Sequence, residues 1–129
     1  MALIVFDASA VIALLDPDDA LHAGARREFE RYASDDLVIP TTALAETLVV
    51  PSRVGSLEAA QTRIRSLDIV VAPVGEAVAV AAAHLRGRHR GLRLPDALVL
   101  AAGEVFGADA VVTGDSKWKR LSRRVRVIR

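Results

Sequence analysis

The segment Leu3-Ile4-Val5-Phe6-Asp7-Ala8-Ser9-Ala10-Val11-Ile12 is the strongest indication of the architecture of this chain. Its first four residues are apolar and rich in branched and aromatic side chains, which predicts a buried strand. A strand that is apolar on both faces is typical of a parallel sheet covered by helices. Asp7 follows at the carboxyl end of this strand, where open α/β sheets bind their ligands, and the apolar run from Val11 to Leu15 predicts a helix. Asp7 therefore has two interpretations, a functional carboxylate or the N-cap of that helix.

The composition predicts one domain that spans residues 1–129. Hydrophobic residues make up 52% of the chain, which excludes a disordered polypeptide and allows a substantial core. No apolar run approaches the roughly 18 residues that a membrane helix needs. The sequence has no cysteine, and no basic leader precedes the first apolar run. These features predict a cytoplasmic protein without disulfides or thiolate metal sites.

Positive charge is concentrated in two segments, although the formal net charge is only +1. The first segment contains Arg86, Arg88, Arg90 and Arg93, together with His84 and His89. The second lies toward the C-terminus and includes Lys117, Lys119 and Arg120. Such clusters can bind phosphate groups. The alternative for each cluster is a solvated surface that only aids solubility, and the sequence leaves both interpretations open.

Short apolar runs alternate with helical patterns along the whole chain. After the first strand, further strands are predicted at 37–39, 69–72 and 110–113, and the alternating residues 125–128 predict an edge strand. The helix after the second strand is expected to be capped by Thr41 or Thr42 and to end near Val50, because Pro51 follows. The order of elements predicts an α/β fold with a parallel sheet of about five strands and helices on both faces.

Three aspartates occupy distinctive positions in this order. Asp7 and Asp115 each follow a predicted strand directly. Asp96 lies in the first turn of an almost wholly apolar helix that begins at Leu94-Pro95. For Asp96 the alternative is strong, since an acid in the first turn stabilises many helices through the helix dipole.

Glu46 is the fourth distinctive acid. It lies on a largely apolar helix with no basic residue three or four positions away, and it does not complete a capping box. A carboxylate on a buried helix needs a partner from elsewhere in the fold. The alternative is an exposed place on a narrow polar stripe shared with Thr42 and Thr47.

Strand ends and the following helix starts share one edge of a parallel sheet, so we expect the four carboxylates to meet there. Two carboxylates about 4 Å apart repel by roughly 4 kcal/mol at an effective dielectric constant of about 20. A cluster of four would therefore hold either protons or a cation. Hard oxygen ligands without His or Cys indicate Mg²⁺ or Mn²⁺ rather than Zn²⁺.

Four segments of the chain together resemble the PIN-domain family, and in size the chain is similar to the VapC-type toxins of bacterial toxin–antitoxin pairs. The matching segments are Ile4-Val5-Phe6-Asp7-Ala8-Ser9, Thr42-Ala43-Leu44-Ala45-Glu46, Leu92-Arg93-Leu94-Pro95-Asp96-Ala97-Leu98 and Val112-Thr113-Gly114-Asp115. The resemblance covers essentially the whole chain. Gly114 departs from it, because the family often has a larger residue there, and this leaves the direction of the Asp115 side chain open.

The resemblance implies a divalent-metal-dependent endoribonuclease. Its acidic quartet would be Asp7, Glu46, Asp96 and Asp115, which would hold Mg²⁺ or Mn²⁺ and activate a water molecule. Ser9 and Thr113 would support the carboxylates by hydrogen bonds. The two basic segments would bind the RNA backbone. The resemblance also implies a homodimer and a small antitoxin whose C-terminal segment enters the active-site groove.

Two other functions compete with this interpretation. One is a catalytically inert PIN-like module that binds RNA or protein. The other is a phosphatase of the haloacid-dehalogenase type, which also begins with a strand and an Asp. Such phosphatases usually have a second Asp two residues later, where this chain has Ser9. Metal binding separates the inert module from the enzymes, and the choice between RNA and small phosphate esters separates the two enzymes.

Overall fold

A computed structural model describes residues 1–129 of the chain and contains five strands and six α-helices. The strands are β1 (Leu3–Phe6), β2 (Asp36–Pro40), β3 (Val70–Ala72), β4 (Ala110–Thr113) and β5 (Val125–Val127). The helices are α1 (Ala8–Leu15), α2 (His22–Arg31), α3 (Thr41–Arg53), α4 (Leu57–Ser66), α5 (Glu76–Arg88) and α6 (Leu94–Val105). A short 3₁₀ helix, Ser116–Arg120, connects β4 to β5. None of the helices is long and apolar enough to cross a membrane.

The five strands form one sheet in the order β3-β2-β1-β4-β5, and every neighbouring pair is parallel. The chain leaves β1 toward β2 and β3, and it later returns to place β4 and β5 on the other side of β1. With right-handed crossovers, this reversal puts helices on both faces of the sheet. The point between β1 and β4 is therefore the topological switch point, outside which open α/β sheets form their ligand crevice. The predicted fold class is confirmed.

The core forms because the central strands are apolar on both faces. Ile4, Val5 and Phe6 of β1 are completely buried, and all four residues of β4 are buried as well. Helix α6 covers them with a nearly continuous apolar surface from Ala97 to Ala102. Burial on both faces holds the carboxyl ends of β1 and β4 in fixed positions. Asp7 and Gly114, which follow these strands directly, therefore have fixed backbone positions as well.

Both ends of helix α3 differ from the predicted ones. Pro40 is the N-cap of α3, and no side chain caps the helix, so the predicted cap at Thr41 or Thr42 is wrong. The Thr41 hydroxyl instead accepts a hydrogen bond from the backbone N–H of Val74, at 3.3 Å. Helix α3 also continues through Pro51 to Arg53, because a proline in the last turn removes only one intrahelical hydrogen bond.

Helix α1 is longer than predicted. It begins at Ala8, directly after Asp7, rather than near Val11, because Asp7 provides an N-cap and small residues fit the first turn. Helix α5 runs to Arg88, so Arg86 and Arg88 of the first basic segment lie on this helix and Arg90 lies in the loop that follows it.

Candidate active site

Asp7 lies at the switch point and is almost completely removed from solvent, with 5% of its surface exposed. Its backbone N–H donates to the carbonyl of Val112 in β4, which fixes the chain at the end of the two strands. Its side-chain Oδ1 accepts a hydrogen bond from the backbone N–H of Ala10 at 2.8 Å and thereby caps α1. Capping leaves the second carboxylate oxygen available for other partners. The two interpretations of Asp7 therefore do not exclude each other.

Two hydroxyl groups hold the carboxylate of Asp7. Thr113, which is fully buried, donates from its hydroxyl to Oδ2 at 2.6 Å. The Ser9 hydroxyl lies 2.8 Å from Oδ1 and 3.0 Å from Oδ2. Each hydroxyl also accepts a backbone hydrogen bond from the loop after β4: Thr113 from the N–H of Asp115, and Ser9 from that of Gly114. The hydroxyls thus connect Asp7 to the loop that carries Asp115.

Burial raises the pKa of Asp7 from its ordinary value of 3.8 to about 6. The hydrogen bonds from Thr113, Ala10 and Ser9 favour the ionised carboxylate and lower this pKa, but they offset only part of the desolvation. The negative charge of Asp96 adds a smaller increase. Asp7 is consequently a carboxylate whose charge is costly unless a cation lies beside it.

Glu46, Asp96 and Asp115 are half-buried. Desolvation is the largest cause that raises the pKa of Asp96, and the nearby charge of Asp115 raises it further, whereas Arg93 lowers it. Desolvation also raises the pKa of Glu46, again with a contribution from Asp96 and an opposing one from Arg93. Asp96 therefore interacts electrostatically with each of the other three carboxylates.

Asp115 begins the 3₁₀ helix as its N-cap, and its Oδ1 accepts from the backbone N–H of Lys117 at 2.9 Å. Asp96 lies in the first turn of α6, as predicted, and no side chain caps that helix. The alternative for Glu46 was an exposed polar stripe shared with Thr42 and Thr47. Thr47 is buried, and its hydroxyl donates to the carbonyl of Ala43, so these three residues do not form an exposed stripe.

The charge of these four carboxylates is not neutralised by any salt bridge. The ion pairs of the chain all involve acids of α2, namely Glu28 with Arg31 and Arg126, and Glu30 with Arg26. No group of three or more acidic or histidine side chains lies close enough together to hold a metal ion by itself. The donor set of carboxylate and hydroxyl oxygens, with raised pKa values and no cationic partner, fits a hard divalent cation.

One polar atom in the first turn of α3 has no hydrogen-bond partner. The hydroxyl oxygen of Thr42 is buried without a hydrogen bond, and Thr42 lies one helical turn before Glu46. A buried polar atom without a partner is uncommon and costs folding free energy. The free hydroxyl adds another hard oxygen on the helix that carries Glu46.

A basic cleft of about 600 Å³ opens beside the acids. Asp96 and Asp115 lie in one wall, and the predicted phosphate-binding residues Arg90, Arg93, Lys117 and Arg120 also line it. His89 contributes to the same cleft. The structure thus brings residues of both basic segments to one place, next to two of the four carboxylates.

The remaining residues of the two basic segments are placed differently. Arg86 uses its guanidinium to donate to the carbonyl of Arg90 and so supports the loop after α5. Arg88 and Lys119 do not line the cleft. These residues could not be separated by sequence from those that line the cleft, because all of them belong to the same short charged runs.

Comparison with solved structures shows extensive similarity of fold. A toxin–antitoxin complex from Klebsiella pneumoniae gives a TM-score of 0.78 at 19% identity, with 96% of each chain covered. VapBC2 from Rickettsia felis, bound to a DNA fragment from its promoter, gives 0.79 at 16% identity, with 98% of this chain and 99% of that chain covered. VapC20 from Mycobacterium tuberculosis, a toxin that cleaves the sarcin-ricin loop, gives 0.74 at 23% identity, covering 92% and 95%.

Comparisons of sequence give a family assignment. No curated protein matches the chain. The family model of the PIN domain, however, matches residues 4–124, which include all four acids and both hydroxyl residues that hold Asp7. The match spans nearly the whole chain and agrees with the parallel five-stranded sheet. The chain belongs to the PIN-domain family.

Proposed function

We propose that the protein is an endoribonuclease that depends on Mg²⁺ or Mn²⁺ and hydrolyses phosphodiester bonds of RNA. The observation that carries this proposal is the set of four carboxylates that interact electrostatically through Asp96 and form no salt bridge, two of which line a basic cleft. Such an arrangement costs folding free energy in the absence of a cation. Membership of the PIN-domain family and the likeness to an RNA-cleaving toxin support the same activity.

Asp7, Asp96, Glu46 and Asp115 would hold the metal, with Asp7 and Asp96 as the primary ligands. A bound divalent ion supplies a more acidic, more nucleophilic water and stabilises negative charge on the phosphate. The chain itself supplies orientation. The hydroxyls of Thr113 and Ser9, together with the N–H of Ala10, fix both oxygens of Asp7. Fixed carboxylates require no reorganisation when the reaction occurs.

The basic cleft would bind the RNA backbone next to the acids. Arg93 is the residue best placed for this role, because its charge acts on both Glu46 and Asp96 while it forms no salt bridge. Arg90, Lys117 and Arg120 extend the positive surface along the cleft. The remaining basic residues would contribute only to the positive electrostatic potential around the cleft, namely Arg86, Arg88 and Lys119. Binding through these contacts weakens as salt concentration rises.

We further propose that the chain acts as a single domain over residues 1–129 and functions as the toxin of a toxin–antitoxin pair. The solved complexes of similar fold contain toxin and antitoxin chains, which supports a small protein antitoxin as the partner. A homodimer in the cytoplasm completes this proposal. An antitoxin residue with a guanidinium group would neutralise the acidic cluster directly, since bidentate Arg–carboxylate pairs are strong.

The experiment that tests the activity is cleavage of a mixed RNA pool by the purified protein. We expect cutting with Mg²⁺ or Mn²⁺, none with EDTA, and none by Asp7→Asn with metal present. Asp18→Asn is the matched control, because Asp18 is an exposed aspartate of the turn after α1, and it should cut as the wild type does. Metal-independent cutting, or full activity in Asp7→Asn, would contradict the proposal.

Two outcomes would favour the other functions. Release of phosphate from small esters with intact RNA would support a phosphatase. Binding of RNA without metal binding and without cutting would support an inert RNA-binding module.

A further inference from the structure

Gly114 lies between Thr113 and Asp115, in the loop that follows β4, and it is the position at which the chain departs from the family pattern. Its backbone N–H donates to the Ser9 hydroxyl at 2.9 Å. A Cβ atom at this position would lie 2.7 Å from Cδ1 of Leu21 and 3.3 Å from Oγ of Ser9. Gly114 is not among the glycines with positive φ. Glycine is needed here for space rather than for an unusual backbone conformation.

Leu21 forms the opposite side of this contact. It lies at the start of α2, where its N–H donates to Asp19 Oδ1 and its carbonyl accepts from the N–H of Ala25, both at 2.8 Å. These bonds fix the backbone of Leu21, while its side chain packs against the core. The side chain of Leu21 therefore limits how close the loop after β4 comes to the start of α2.

The contact bears on the acids because Gly114 connects two parts of the same hydrogen-bond network. Ser9 bonds to both Asp7 and Gly114, and Thr113 bonds to both Asp7 and Asp115. A shift of the loop by a few tenths of an ångström changes both connections at once. The direction of the Asp115 carboxylate relative to Asp7 is then set by the packing at Gly114.

We infer that Leu21 and Gly114 are positioning residues, and that their close packing fixes Asp115 relative to Asp7. Neither residue lines the basic cleft. The inference rests on the proposed function, since its catalytic consequence requires that Asp7 and Asp115 act together. The geometric part, which concerns the hydrogen bonds of the loop after β4, stands independently of any activity.

The test uses Gly114→Ala, Leu21→Ala and the double variant. Gly114→Ala should lower kcat by up to about 100-fold, the effect expected for a small misplacement of catalytic groups. KM for RNA should change much less than kcat, because Arg90 and Arg93 of the basic cleft lie outside the loop after β4. Removal of the Leu21 side chain makes room for the new methyl group, so the double variant should recover most of the kcat of Leu21→Ala. Gly75→Ala is the matched control, because nothing lies within 4 Å of a Cβ at that glycine.

Hydrogen exchange provides a readout that does not depend on cleavage. The amide protons of Gly114 and Asp115 should be protected in the wild type, exposed in Gly114→Ala and protected again in the double variant. If the wild type cuts no RNA but shows this pattern, the positioning stands and the proposed function fails. If the wild type cuts RNA and Gly114→Ala cuts equally well with protected amides, the positioning is wrong.

Leu21→Phe tests the same contact from the other side and decides the matter if the alanine variants do not fold. The larger side chain should reproduce the loss of kcat and of amide protection while Gly114 is retained. Wild-type kcat and amide protection in Leu21→Phe would overturn the inference, as would a folded double variant no more active than Gly114→Ala.

Discussion

Replacement of Asp7 by Asn should make the metal-free protein more stable at neutral pH, although it removes a residue proposed to be essential for activity. The pKa of Asp7 is about 6 in the folded chain, against 3.8 ordinarily. Each pH unit of difference corresponds to about 1.4 kcal/mol, so the ionised carboxylate lowers the free energy of unfolding by about 3 kcal/mol at neutral pH. Asn removes this charge and keeps an oxygen that can cap α1.

The gain is smaller than the full cost of the charge. The hydroxyl of Thr113 now meets an amide instead of a carboxylate oxygen. One rearranged hydrogen bond costs about 1 kcal/mol, which leaves a net gain of about 2 kcal/mol. In urea this corresponds to an increase of about 1 M in the unfolding midpoint.

The raised pKa of Asp7 makes the stability of the wild type fall with rising pH. Between about pH 4 and pH 6 the folded wild type binds more protons than the unfolded chain, so its stability falls as pH rises through this range. Asp7→Asn lacks this contribution and should lose less stability over the same range. The raised pKa values of Glu46 and Asp96 act in the same direction in both proteins, so the difference between them isolates Asp7.

The assay is urea unfolding in EDTA, followed by circular dichroism, for the wild type and Asp7→Asn at acidic and neutral pH. Asp115→Asn is the control, because it changes another N-cap aspartate at a strand end, one that is less buried, and it should bring a clearly smaller gain in stability than Asp7→Asn. A destabilised Asp7→Asn, or one with the same pH dependence as the wild type, would show that the buried charge of Asp7 does not destabilise the folded chain.

Three further predictions concern catalysis and RNA binding. Thr113→Val keeps the shape but removes the hydroxyl that bonds to Asp7, and it should lower kcat by about 10- to 100-fold in steady-state cleavage, whereas an unchanged kcat would contradict the role of that hydroxyl. Arg93→Gln should weaken RNA binding and reduce the slope of log affinity against log salt by about 1, measured by fluorescence anisotropy in EDTA. Arg53 lies outside the cleft, so Arg53→Gln should change neither quantity. Cleavage should decrease below about pH 6 as Asp7 takes up a proton, and a higher Mn²⁺ concentration should move this inflection to lower pH; an inflection that ignores metal concentration would argue against competition between proton and cation.

The strand-end acids could be predicted from the sequence because their positions follow from a local rule. An apolar run that ends in an acid places that acid at the sheet edge, and Asp7 and Asp115 follow β1 and β4 in the structure. Two such strands need only be neighbours for their acids to lie close together, and β1 and β4 are paired. The remaining acids could be placed because strand ends and helix starts share this edge.

Other features could not be predicted because they depend on competition between neighbouring groups. Two threonines follow Pro40, and each is a good N-cap by itself, yet Pro40 takes the cap position and the Thr41 hydroxyl bonds to Val74. Helix α3 likewise continues past Pro51, because a proline in the last turn removes only one intrahelical hydrogen bond. Helical propensity alone does not decide either boundary.

The contact between Leu21 and Gly114 is of a different kind. The apolar residues Leu21, Ala25 and Phe29 recur at helical spacing, which predicts that Leu21 faces the core, but nothing in that pattern says which loop it meets. The glycine is a visible departure from the family pattern, and its reason, the 2.7 Å approach of Leu21, appears only when the two segments are packed together. Long-range packing of this sort has no signal in a single sequence.

The proposed function depends on the binding of a divalent cation by the four carboxylates. A calorimetric titration of Mn²⁺ into the metal-free protein measures this binding, with Asp96→Asn titrated in parallel, since Asp96 interacts with each of the other acids. We expect saturable binding to the wild type and loss of that binding in Asp96→Asn. Absence of saturable binding, or equal binding to both proteins, would show that these carboxylates do not form a cation site.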